Sequence, residues 1–439
     1  MPLLVSFAVA ASITMTAIPV HAVLPVHNLN SGANFATIQE AIDDLNTLDG
    51  HTIAVDSGTY NLVSPVKVNK ALTLKGDDLN PSSVVINAST IVGQDRDCFQ
   101  VMSNQVTIQG FKIENAVTGT LWQAGCLNGG IMVGNWGDAM WATNPNVADL
   151  HDFDFSYNIF DNCSYGIYFF SCSNAMISHN TFTNCLPSPA GLDGDAILLW
   201  TTGYGPPAYS PPRMNLIDNV TVSYNTISNC KFGIKLGTED YSGQTATISN
   251  VLVKKNQISG ATDQGIAFLS YRYDDAVPLP TYVSITVGCN LVRGNWVGVG
   301  VTALKSPGWN VLDGFSLDGV HVNNNNIYGN DLSGTKQGFN VQGDVTMGTV
   351  DAKNNWWGDA SGPNNPTLNP SGLGDKVSNN VDFVPWLNSL ACQLPPPPVG
   401  GEWVPIDKVQ LLATWMSMAL TLAIALSFVC FKLVKKREN

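Results

Sequence analysis

The chain has 439 residues with 34 Asp and Glu against 21 Lys and Arg, a net charge of −13, and only 13% charged residues. That acidity argues against nucleic acid, which requires a basic footprint. Substantial hydrophobicity with sparse charge argues against disorder, and 40 glycines suit many short strands and tight turns better than helices.

The first 22 residues are apolar, carry no charged side chain and end in Val20-His21-Ala22, which reads as an export signal (1–22). After it, ATIQEAIDDLNTL (36–48) places Ile38, Ala41, Ile42, Leu45 and Leu48 at helical spacing. A short amphipathic helix here would cap the open end of a stack of strands. Strands follow at 52–55, 65–68, 71–76 and 83–88, separated by Gly, Asn and Pro. The run VTIQGFKIENA (106–116) then anticipates a phrase with Gly110 where later copies have Asn, as expected if that slot needs positive φ.

Seven segments repeat this phrase, an alternating apolar strand followed by a pivot Asn: Asn158, Asn180, Asn225, Asn256, Asn290, Asn325 and Asn355. Their intervals vary from 22 to 45 residues, so a constant core carries variable insertions, as in a solenoid. A second strand follows each phrase, at 129–134, 165–170, 195–200, 232–237, 264–269, 296–301 and 337–342. Two or three short strands per turn, stacked in register, predict an all-β fold: a right-handed parallel β-helix over 23–392. A leucine-rich repeat would need Leu at constant offsets, which are missing.

Insertions leave after the second strands, at 201–219, 238–249, 270–283 and 302–317, and would gather into a wall on one edge. Cys163, Cys185 and Cys230 share one slot of three phrases, open to a metal site or to a stacked row of small apolar thiols. Asn87, Asn162 and Asn219 begin Asn-x-Ser/Thr triplets that fit a glycan acceptor. His151, His179 and His321 match no ligand spacing.

A Pro/Gly-rich stalk (393–408) precedes 409–431, an uncharged apolar run long enough to cross about 30 Å of hydrocarbon as a helix. The basic tail 432–439 would stay in the cytoplasm and leave everything upstream outside. The membrane is therefore one expected partner, and the expected location is an anchored body at the cell surface.

TIQEAIDDL, GHTIAVDSGTY and VNKALTLKG (37–76), with NNWWGDASGP (354–363) and VDFVPWL (381–387), resemble the first and closing turns of the pectate-lyase-like β-helix superfamily. The likeness is to its exported branch of carbohydrate-binding and sugar-hydrolysis type domains and spans roughly residues 30–390. It implies the fold, and it leaves activity open between lyases, hydrolases, esterases and binding modules. VPIDK (404–408) before the apolar run also resembles a processed surface-sorting signal.

The family's enzymes stand carboxylates and basic groups outward on one sheet. With Ile167, Ile197, Ile234 and Ile266 inward, the outward neighbours are Tyr168, Leu198, Lys235 and Ala267, of which one is charged. Asp193 and Asp195 are the candidate acid and base of a glycosidase, or hard oxygen ligands for Ca²⁺; an ordinary Asp/Gly turn accounts for them as well. The second Asp pair, Gly-His-Gly and Arg-x-Lys of the resembling hydrolases are missing. Candidate substrate-binding residues are Lys235, Glu239, Asp240, Tyr241, Arg272, Tyr273, Asp274 and Asp275, where aromatic rings and carboxylates together suit a sugar surface. The resulting reading is a membrane-anchored extracellular β-helix that binds carbohydrate or serves as an adhesion module. The alternative is a polysaccharide lyase or glycoside hydrolase.

Overall fold

The computed structural model describes residues 24–92, 96–117, 128–134, 150–187, 194–202, 216–240, 246–272, 281–305, 310–311, 317–342 and 348–392, with 202, 240, 272, 303–305 and 310–311 described by backbone alone. The expected export signal, stalk, membrane segment and basic tail lie outside these residues. Among the described residues no helix is long and apolar enough to cross a membrane.

Strands dominate, and they rotate among three sheets. Cys172–Ser178 lies in sheet 1, Thr181–Thr183 in sheet 2 and Asp195–Thr202 in sheet 3; Leu216–Ser223, Thr226–Ser228 and Phe232–Asp240 then repeat the order. Each strand pairs in parallel with its equivalent one turn away, as in Ile177↔Val222, Phe182↔Ile227 and Ile197↔Ile234. The phrase therefore supplies sheets 1 and 2, and its second strand supplies sheet 3. Period-two alternation sends Ile177, Phe182, Ile197 and Ile234 into one continuous core that also contains Phe155, Phe160 and Phe268. Flat stacking of Phe160 on Phe182, with centroids 4.6 Å apart, shows the strand repeat carried into the side chains.

The pivot asparagines form a buried ladder at the corner between sheets 1 and 2. Each Oδ1 accepts from the backbone N–H and the Nδ2 of the Asn one turn before, and each Nδ2 also donates to a sheet 1 carbonyl. For Asn180 these contacts are to Asn225 Oδ1 at 2.9 and 3.1 Å and to Phe155 O at 2.8 Å. The ladder starts at Phe111, whose N–H donates to Asn158 Oδ1, and ends at Asn355. The expected alignment of Gly110 with the pivots is off by one residue. Gly110 shares its column with Tyr157, His179, Tyr224, Lys255, Cys289, Asn324 and Asn354, all at positive φ, while the pivots themselves are not. The corner places the bend one residue early, which frees the pivot side chain to turn inward. The second Asn of the phrase is a left-handed position too: Asn115, Asn162, Asn184 and Asn229 have φ of 53–63°, and Gly260, Gly294 and Gly329 replace them.

The three aligned cysteines are buried and free. Their slot continues as Ala261, Asn295 and Asn330, where a second short Asn ladder ends on the Asp375 carboxylate. Burial pushes the Cys163 thiol up to about 12. A hydrogen bond with Cys230 and burial push Cys185 well up, which favours the neutral thiols. The row of packed thiols fits this geometry.

The N-terminal helix is shorter than its periodicity suggests. It covers Ile38–Asp43, because Asp44 leaves helical backbone and Lys70 Nζ takes the carbonyls of Ile42, Asp44 and Thr47 at 2.7–3.0 Å. Leu45, expected on the apolar face, is 92% exposed, and Thr47 is buried instead. Gln39 imitates a strand: its Oε1 accepts from Lys67 N–H and its Nε2 donates to Lys67 O, closing the edge of Val66–Val68.

Candidate functional site

Of the candidate residues, Asp195, Lys235, Glu239, Asp240 and Arg272 lie on strands of sheet 3. Its strands run further than the apolar pattern indicates, to Thr202, Asp240, Arg272 and Lys305. Glu239, Asp240 and Arg272, expected in loops, are therefore strand positions, with Thr202↔Glu239↔Tyr271 and Asp240↔Arg272 in register. Asp193, Tyr241, Tyr273, Asp274 and Asp275 lie outside the described residues, as does most of the expected loop wall.

The outer face is not the open surface that the inward/outward alternation implies. Tyr168, Leu198, Lys235 and Ala267 point away from the core, and all four are buried. Met132, Tyr165, Tyr168, Phe170 and Leu198 form a second apolar cluster there, with Trp200 packed against it. Period two tells which face a side chain takes; it does not tell whether that face is covered.

Asp195 starts its strand immediately after Gly194, whose φ of +113° and close fit against Lys231 Cβ require glycine. Its carboxylate is 0% exposed and meets Lys235 Nζ at 2.7 Å, while the Lys235 side chain is 6% exposed. The Lys235 ammonium also lies 4.4 Å from the centre of the Phe232 ring, a cation–π contact, and Phe232 is the register partner of Asp195. Burial raises the Asp263 carboxyl, against the pull of Lys231 and Lys235. Lys235 Nζ thus already neutralises the Asp195 carboxylate. Among the described residues no group of three His, Cys, Asp or Glu is placed to share a metal ion.

Further along the same strands, Trp200 stands over Gly237, its register partner, where any Cβ would collide with the indole. Trp200 Nε1 donates to Glu239 Oε2 at 3.3 Å, and the Tyr271 ring lies 5.7 Å from the indole at 48°. Trp200, Glu239 and Tyr271 are all partly exposed. The group is an aromatic pair with a carboxylate on the strand between them. Trp200 is missing from the sequence-derived set; its signal is a Trp opposite a Gly in successive second strands.

A different aromatic column follows the left-handed corner. His179 stacks between Tyr157 and Tyr224, both centroid distances being 4.9 Å, and Lys255 Nζ donates to the Tyr224 hydroxyl at 2.9 Å. Burial draws the His179 imidazole below its ordinary 6.5, against the pull of Asp154. The neutral ring is therefore the folded-state form. Its contribution to stability is complete above pH 6.5 and is lost as pH falls through the lower folded value. In an NMR titration His179 should titrate below 6.5, and Tyr157→Ala or Tyr224→Ala should move it back towards 6.5. An imidazole titrating at or above 6.5 in the unsubstituted protein would show that burial does not govern its ionisation.

No family model matches the chain. Over 88 residues, 20% of its length, it is 42% identical to a cell surface glycoprotein of Methanothermus fervidus, and the match covers 13% of that relative.

Proposed function

We propose that the chain is a cell-surface protein, a parallel β-solenoid of the pectate-lyase-like kind, held by its 409–431 segment and binding carbohydrate through the Trp200–Glu239–Tyr271 shelf. The partial likeness to a cell surface glycoprotein and the apolar run with its basic end support the location. The observation that carries the binding reading is the aromatic pair beside the Glu239 carboxylate. Sugar rings offer C–H faces to aromatic rings and hydroxyls to carboxylates. The acidic net charge favours neutral over polyanionic glycans.

A hydrolytic role would need a pair of carboxylates reaching substrate and water. Asp195 at 0% exposure, held by Lys235, is built as scaffold for this shelf.

The test is binding of the full chain to a panel of neutral and acidic polysaccharides by affinity electrophoresis and calorimetry. Trp200→Ala should weaken binding about tenfold, the worth of one aromatic contact of about 1.4 kcal/mol. Glu239→Gln keeps the shape and should weaken it less. Retention of no polysaccharide, or unchanged affinity in Trp200→Ala, would refute the reading.

A further inference from the structure

The Cys289–Cys392 disulfide joins residues 103 apart in sequence, with Cα atoms 5.4 Å apart. Cys289 holds the left-handed corner after Ile285–Gly288, in the column of Tyr224 and Lys255. Cys392 reaches it by a reversed course. After Val381–Asp382 the chain starts no further turn but crosses back over the corner between sheets 1 and 2. Asn354 N–H donates to Pro385 O and Leu387 N–H to Asn355 O in the last turn. Ala391 N–H then donates to Asn326 Oδ1, and Asn326 Nδ2 to Cys392 O, one turn earlier. The disulfide lands one turn earlier again. Residues 393–439 continue from this point, and not from the end of the solenoid.

We propose that the Cys289–Cys392 bond is a tension clamp, which passes force arriving through residues 393–439 into the turn of Cys289 and shields the turns between the two cysteines. The inference rests on the surface-tether reading above. Without the bond, a pull on residue 392 loads the hydrogen bonds of Ala391, Leu387 and Pro385 one after another, and bonds loaded in sequence peel. With it, force enters a corner whose strand, Ile285–Gly288, is paired on both sides, to Thr247–Lys254 and to Val320–Asn323. The neighbouring Asn290 is bonded into the ladder through Asn256 and Asn325. Many bonds must then yield together.

Single-molecule pulling on the full chain tests this, with one handle at the N-terminus and the other either at the C-terminus or inserted in the exposed turn at 331–334. At the C-terminal handle, Cys289→Ser with Cys392→Ser, or reduction of the unsubstituted chain, should lower the first rupture force at least twofold and add an early step. The total extension should grow by the 103-residue loop, roughly 37 nm. At the turn handle the rupture force should not change. An equal fall at both handles would make the bond a general staple, and no fall at the C-terminal handle would remove the clamp; either overturns the proposal. Surface accessibility of the body on intact cells tests the tether reading separately, so the two can fail independently.

Discussion

Asn225→Ala should destabilise the fold by about 2–4 kcal/mol, the cost of four buried hydrogen bonds and of one backbone N–H left unpaired. The Asn225 carboxamide accepts from Asn180 N–H and Nδ2, at 2.9 and 3.1 Å, and donates to Ile177 O and Asn256 Oδ1, at 2.9 and 3.0 Å. Truncation removes all four bonds. Asn180 Nδ2 keeps Phe155 O, and Asn256 Oδ1 keeps the Asn225 backbone N–H. Asn180 N–H loses the ladder partner shown for it, at a corner where water does not reach, and the Ile177 carbonyl loses the bond it accepts beside its strand pairing. Asn225→Asp should cost as much, because a carboxylate cannot donate to Ile177 O and brings a buried charge. Asn184→Gly is the control. Asn184 is exposed with φ of 58°, so glycine fits its backbone and the change should stay within about 0.5 kcal/mol. Urea midpoints by circular dichroism would separate the two, compared at equal slope because solenoids can unfold turn by turn. A cost for Asn225→Ala as small as that for Asn184→Gly would mean the ladder is ornament, not support.

The ladder also shows where sequence reading succeeds and where it stops. The phrase is local, so its strands and its inward Ile and Phe positions followed from alternation, and the parallel stacking from the repetition. The one-residue error at Gly110 has a local cause as well. Glycine and asparagine are both tolerated at positive φ, and the phrase offers an Asn beside the true bend, so residue type cannot say which of the neighbours turns. The helix was overread for a related reason: Leu45 and Leu48 keep the helical period, but the stop is imposed by Lys70, more than twenty residues away. Burial of the outer face of sheet 3 is longer-ranged still. Tyr168, Leu198 and Lys235 sit on the predicted side, but whether that side is wet depends on what covers it. The pairing of Cys289 with Cys392 follows from the reversed course of the last residues, which no spacing of cysteines encodes.

Lys235 is where these two levels meet, and removing it should have the second large effect. Lys235→Met should cost about 3–5 kcal/mol, because it leaves the Asp195 carboxylate buried without its ammonium partner at 2.7 Å. Asp195→Leu should cost a similar amount for the converse reason, with the ammonium left over the Phe232 ring. The double variant should recover most of the loss and come within about 1 kcal/mol of the unsubstituted protein, since a packed apolar pair escapes the desolvation that two buried charges bear. That rescue is what separates scaffold from chemistry. Leu198 is the register partner of Lys235, and the Met132–Leu198 cluster with Trp200 already lines this face, so the replaced pair would extend an existing apolar surface. If the double variant folds and still binds polysaccharide like the original, Asp195 and Lys235 support the Trp200 shelf from beneath. A stable double variant that had lost binding would return Asp195 to the reacting or recognising groups. It would also require the outer face of sheet 3 to open, because a carboxylate with no exposed surface cannot otherwise touch a sugar.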